Sequence, residues 1–129
     1  MSLSAPEIRL RLSNAFGLAA LVIDEVTVAL PGNGSAGVEN VKLQGITSLT
    51  FSGSSSVTIP KGSLAVSDPI EFPVAVRQVL TITLYLSSGI DTGAVTGHPG
   101  SRTDTWLSLG NYVADLDSGS ADLQSVAHW

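Results

Sequence analysis

Apolar and polar residues alternate along most of this chain. Ile8, Leu10 and Leu12 interleave with Glu7, Arg9 and Arg11. Val26, Val28 and Leu30 interleave with Glu25, Thr27 and Ala29, and Leu49 and Phe51 with Ser48, Thr50 and Ser52. The longest run sets Leu80, Ile82, Leu84 and Leu86 against Thr81, Thr83 and Tyr85. A period of two marks half-buried strands, because successive side chains point to opposite faces of a sheet. Shorter strands are expected at 57–59, 64–66 and 106–109.

Turn chemistry separates these runs. Pro31-Gly32-Asn33-Gly34-Ser35, Pro60-Lys61-Gly62-Ser63, Ser67-Asp68-Pro69 and Ser87-Ser88-Gly89 are the clearest cases. Glycine supplies positive φ, proline presets φ, and Ser, Asn and Asp bond nearby backbone. In Ser67-Asp68-Pro69 the aspartate is expected to cap its own backbone. In Ser13-Asn14-Ala15-Phe16-Gly17, Asn14 is expected in the left-handed region, Gly17 at positive φ, and Phe16 as a plug in the core. Short strands with such turns predict an all-β fold, an antiparallel β-sandwich or jelly roll. The one expected helical turn is at 121–127, where Leu123 and Val126 would share a face. No internal repeat or linker interrupts the pattern. The 129 residues are read as a single domain, 1–129, long enough for one core and too short for two.

Composition narrows the function classes. Apolar residues make up 43% of the chain and charged residues 13%, a balance that argues against disorder. Six Lys and Arg against eleven Asp and Glu give a net charge of −5, which disfavours nucleic acid and anionic membrane as partners. The chain contains no cysteine, so disulfides and thiolate metal sites are excluded. The histidines and aspartates have no metal-ligand spacing, and no cofactor is implied. The chain lacks an apolar run of membrane-spanning length and a signal-peptide pattern at Met1-Ser2-Leu3-Ser4. That leaves three compartments open: cytosolic, secreted by a non-classical route, or secreted with the leader removed.

Five segments occur in a telling order. They are Ile8-Arg9-Leu10-Arg11-Leu12-Ser13-Asn14-Ala15-Phe16-Gly17, Phe51-Ser52-Gly53, Val57-Thr58-Ile59-Pro60, Ser67-Asp68-Pro69 and Thr96-Gly97-His98-Pro99-Gly100-Ser101-Arg102. Together they resemble the N-terminal β-sandwich accessory region of fungal SGNH/GDSL-type hydrolases. The resemblance covers most of the chain and implies a jelly-roll-like sandwich that precedes an α/β hydrolase domain. That family's catalytic machinery does not carry over. Asp117-Ser118 follows Leu116 rather than glycine, and Val95 and Ser125 stand three residues before His98 and His128. Neither a Gly-Asp-Ser nucleophile block nor an Asp-x-x-His pair is present, so the chain is expected not to be an enzyme.

The resemblance also implies a strand ahead of Ser2-Leu3, with Met1 falling inside or just after it, and a further strand after Trp129. A sandwich lacking them would have open edges, which invite pairing with another chain. The expectation is a homo-oligomer, its fold completed by strand exchange between subunits through 1–12 or 115–129.

Two regions carry candidate chemistry. In His98-Pro99-Gly100-Ser101-Arg102, Arg102 offers a forked donor set and His98 a switchable donor or acceptor. The alternative is a tight turn with Arg102 bonding the loop. Over 102–115, Trp106 and Tyr112 bring aromatic faces, with Asp104, Asn111 and Asp115 nearby. Aromatics that stack on a sugar ring, beside polar groups that bond its hydroxyls, would make a glycan site. The alternative is that Trp106 is core. Asn33-Gly34-Ser35 is both a glycosylation sequon and a hairpin-turn signal.

The expected function is a non-catalytic, stand-alone binding protein of fungal type. It would be lectin-like or immunomodulatory/defence, binding a glycan or a cell-surface receptor as an oligomer. The alternative is an accessory fragment of an SGNH/GDSL-type esterase or lipase whose catalytic domain lies elsewhere.

Overall fold

A computed structural model describes residues 3–42, 45–89, 96–97, 103–116 and 124–127 of the chain. The described residues are all-β, with antiparallel pairing throughout. The strands are β1 (Ala5–Ile8), β2 (Arg11–Ser13), β3 (Leu21–Ile23), β4 (Glu25–Ala29), β5 (Thr47–Ser48), β6 (Val57–Ile59), β7 (Leu64–Val66), β8 (Ile70–Val74), β9 (Thr81–Tyr85), β10 (Asp104–Leu107) and β11 (Gln124–Ala127).

Two long arms pair with each other. The first arm runs through β1 and β2, the second through β7 and β8, so that β1 pairs with β8 and β2 with β7. The alternation at Ile8, Leu10 and Leu12 predicts one strand, but the ladder breaks at Arg9 and Leu10. The break lies opposite Ser67-Asp68-Pro69. There the Ser67 amide donates to the Leu10 carbonyl at 2.8 Å. The Leu10 amide donates to Ser67 Oγ at 2.9 Å. Ser67 is fully buried, so its hydroxyl replaces a ladder partner inside the fold. Past the break, the Asn14 amide donates to the Ser63 carbonyl at 2.8 Å, and β3 pairs with β6.

β4 is the central strand of the other sheet, with β5 on one side and β9 on the other. Val26 and Val28 are buried as the alternation predicts, but so are Thr27 and Ala29 on the opposite face. A further layer explains this: Thr27 Oγ1 donates to the Val113 carbonyl at 2.8 Å, which brings the chain after β10 across the outer side of β4. One core joins the sheets, formed by Ile23, Val26, Val28, Leu49, Phe51, Ile59, Phe72 and Val74. The architecture is β-sandwich-like.

Leu49 and Phe51 both reach the core, yet only Thr47–Ser48 pairs as a strand. Beyond it, Phe51 and Ser54 bridge across a tight turn in which Ser52 and Gly53 take positive φ. Asp68 holds that turn and does not cap its own backbone. Its carboxylate accepts from Thr50 Oγ1 at 2.6 Å, the Gly53 amide at 2.8 Å and the Ser52 amide at 3.0 Å. The strand predicted at 64–66 forms, with its apolar ends outward: Leu64 is 54% exposed and Val66 46%, while Ala65 packs against the core.

Several expectations are overturned. The helical turn predicted at 121–127 is absent from the described part: Gln124–Ala127 is strand β11, in register with β10 from Asp104↔Ala127 to Leu107↔Gln124. A ladder to β10 satisfies its backbone groups better than a single isolated turn would, since helix nucleation is costly. Positions 121–123 lie outside the described residues. Phe16 is no core plug but is 75% exposed. The inward group of that loop is Asn14, whose Nδ2 donates to the Ala19 and Ile59 carbonyls at 2.8 and 3.0 Å. Neither Asn14 nor Gly17 has positive φ. Glycine is required at 17 because a Cβ there would run into the Asn14 side chain.

Ser67→Ala would leave the Leu10 amide without its partner at the break between β1 and β2. An unsatisfied buried donor costs about 1–3 kcal/mol; the Leu10 amide is half-buried, so urea denaturation should show a loss at the lower end, about 1 kcal/mol. The Asp68 carboxyl is held below its ordinary pKa, first by the Thr50 hydroxyl, then by the Gly53 amide, with Ser52 and the Arg9 charge adding to it. Asp24 is lowered likewise by Ser87, whose amide donates to it at 2.7 Å. A depressed folded-state pKa contributes stability that is complete above the unfolded value of about 3.9 and is lost as pH falls through the folded value. Asp68→Asn should therefore be less stable than the parent at neutral pH, and the gap between them should narrow on acidification below about pH 4.

Candidate functional site

The site grows from the end of β10. Thr105 and Trp106 are half-buried, and Asp104 and Leu107 are exposed. Trp106 Nε1 donates to the Gly37 carbonyl at 3.2 Å. That bond ties the ring to the 31–41 loop, which is closed by the Pro31↔Val41 bridge. The loop is joined in turn to the segment after β10, since the Val41 amide donates to the Leu116 carbonyl at 2.9 Å.

Beyond β10 the chain turns back over β4 and β9. Gly110 makes this possible, with φ of 120°. The Tyr112 ring lies directly over it, and a Cβ at 110 would sit 2.9 Å from Tyr112 Cε2. Asn111 braces the turn: its Oδ1 accepts from the Val113 amide at 3.2 Å, and its Nδ2 reaches Glu25 Oε2 at 3.5 Å.

An open cleft of about 70 Å³ results, lined by Thr83 and Leu84 of β9 and by Trp106, Ser108, Gly110 and Tyr112. Its walls are two aromatic side chains, an aliphatic one and two hydroxyl-bearing ones. Among the described residues, no charged side chain lines it. Ser108 Oγ is buried with no hydrogen-bond partner among the described residues. A buried hydroxyl without a partner costs free energy, and this one lies behind the cleft wall, closed to solvent. The cleft can hold the edge of a small neutral group and stack an apolar face on an aromatic ring, beside the hydroxyl-bearing Thr83 and Tyr112. Among the described residues, no group of three or more His, Asp or Glu is placed to hold a metal. Among them, too, no helix is long and apolar enough to cross a membrane.

The residues singled out from the sequence divide three ways. Trp106 and Tyr112 meet in one cleft. Trp106 also serves as a tether, through its indole N–H. Asp104 and Asn111 do not line the cleft. Asp104 lies beside Gly37 at the start of β10, and Asn111 is taken up by the backbone turn. His98 and Arg102 lie outside the described residues. Thr83, Leu84, Ser108 and Gly110 had no signal of their own in the sequence. Thr83 and Leu84 read as ordinary strand positions, and only the chain's return over β9 brings them to the site. No protein-family model matches the chain, and no curated protein matches it significantly.

Gly110→Ala tests how the cleft is built. A side chain at φ 120° is strained and would push against the Tyr112 ring. The expected cost is about 1–3 kcal/mol, read by urea denaturation.

Proposed function

We propose that this chain is a non-catalytic binding protein whose cleft at Trp106 and Tyr112 takes a neutral carbohydrate group. The observation that carries the reading is the pairing of two aromatic walls with the hydroxyl-bearing Thr83 and Tyr112 in one cleft that no charged side chain lines among the described residues. Aromatic faces suit the apolar face of a pyranose, and hydroxyls suit its rim. The absence of a Gly-Asp-Ser block and an Asp-x-x-His pair from the sequence favours binding over hydrolysis. A cleft of this size holds one sugar residue at most, so a single site would be weak. Assembly of several copies would raise the avidity by effective concentration, which fits a lectin-like role at a cell surface. The fungal kinship behind an immunomodulatory or defence role rests on the sequence resemblance alone.

An array of neutral and acidic glycans tests this. The parent protein should bind a subset of neutral glycans. Tyr112→Ala should weaken that binding about tenfold, equivalent to 1.4 kcal/mol. Failure of the parent to bind any glycan, or undiminished binding by Tyr112→Ala, would sink the reading.

A further inference from the structure

The 31–41 loop carries chemistry that the cleft does not use. Asn33 is exposed and is followed by Gly34. The Asn33 Oδ1 accepts a hydrogen bond from the Ser35 amide at 2.9 Å. Gly34 has φ of 81°, and a Cβ built on it would meet nothing within 4 Å. The side-chain carbonyl is thus polarised by an N–H, and the next residue carries no side chain to crowd its backbone nitrogen.

We propose that Asn33 is a site of spontaneous succinimide formation in the folded protein, converting to aspartate and isoaspartate. Base removes the Gly34 amide proton, and the nitrogen attacks Asn33 Cγ. The new N–C bond closes a five-membered ring, and the electron pair moves to Oδ1. The Ser35 N–H already donates to that oxygen and stabilises the developing charge, as an oxyanion donor does. Collapse expels the side-chain nitrogen as ammonia, which takes up a proton from solvent. Water then opens the imide at one carbonyl or the other. The net reaction consumes one water and releases one ammonia. The Gly34 amide must first leave the Pro31 carbonyl, to which it donates at 3.0 Å. In an exposed turn, such local opening costs little.

The other asparagines show why Asn33 stands apart. Asn14 is 5% exposed, and its Nδ2 is held by two carbonyls. Asn40 precedes the β-branched Val41, whose amide is bonded to Leu116. Asn111 is the internal control. Its Oδ1 accepts from the amide two residues on, as that of Asn33 does, but its successor is Tyr112, a bulky residue at the nitrogen that would attack. The two sites share the polarised carbonyl and differ at the attacking nitrogen.

Conversion would reach the cleft. Isoaspartate reroutes the backbone through the side-chain carbon and lengthens a loop whose Gly37 carbonyl anchors Trp106. Either product also adds a negative charge.

The test is incubation of the intact folded protein in mildly alkaline buffer, followed by peptide mapping by mass spectrometry with an isoaspartate assay. The expected result is a gain of roughly a dalton at the Asn33 peptide, with isoaspartate present, before any change at Asn14, Asn40 or Asn111. Gly34→Ala should slow the loss of Asn33 several-fold; alanine at φ 81° strains the turn although its Cβ meets nothing within 4 Å, so circular dichroism of the variant checks that the fold is kept. Three results would overturn the proposal. Asn33 could stay intact while an unfolded peptide of the same sequence converts, showing that the Pro31–Gly34 turn protects it. Asn111 could convert as fast as Asn33. Gly34→Ala could convert at the parent's rate.

Discussion

The reciprocal bonding of Leu10 and Ser67 is the constraint on which the rest of the fold depends. Two antiparallel arms must change course at the same point, one leaving β1 and the other entering β8. A kink in paired strands ordinarily strands backbone donors in the interior, at a cost comparable to a lost hydrogen bond. Here the Ser67 backbone and side chain take both polar groups of Leu10. Ser67 Oγ also donates to the Asp68 carbonyl at 2.9 Å, and the adjoining carboxylate fixes the Ser52–Gly53 turn. One short polar segment thereby joins the two arms to the turn that carries Phe51 into the core.

The second organising contact is the return of the chain over β4. Thr27 sits in the middle of the central strand and is buried on the side that alternation assigns to solvent. Its bond to the Val113 carbonyl makes that burial affordable. The segment so anchored presents Ser108, Gly110 and Tyr112 to β9. The cleft is therefore a by-product of covering one sheet face, built from a strand, a tethered indole and a glycine turn.

These two contacts also show what the sequence could disclose. Strict alternation at Val26 and Val28 and at Leu80 to Leu86 marked strands correctly, because burial of one face is a local property. Ile70-Glu71-Phe72-Pro73-Val74 alternates just as well, but its proline argues against a strand unless the strand is an edge, and β8 pairs only with β1 among the described residues. The tail segment 124–127 misled because four residues with two apolar positions fit either period, and only the partner β10 decides. Phe16 and Asn14 reversed the usual ranking of burial, since a polar side chain that satisfies two carbonyls can outcompete an aromatic for an inward position. At the site, Trp106 and Tyr112 were legible as the polar-tipped aromatics of one segment. Thr83 and Leu84 were not, because their contribution arises from a fold-level crossing. The link between Trp106 and Gly37 was hidden for the same reason, spanning 69 positions of sequence.

The pairing of β1 with β8 has a consequence for how the chain reaches this structure. The first arm finds its partner only after the whole of β2 to β7 has been laid down. β4 likewise waits for β9, and the Leu10–Ser67 bond closes a separation of 57 residues. Loop-closure entropy must be met before such distant pairings return any enthalpy. Folds dominated by them cross their barrier in milliseconds to seconds rather than microseconds. β6 and β7 follow one another through the tight 60–63 turn, where the Ser63 amide donates to the Pro60 carbonyl at 3.1 Å, so both are at hand early. The N-terminal arm docks on this corner from both sides, β2 on β7 and β3 on β6, with Asn14 bonded to Ile59, Gly62 and Ser63 between them.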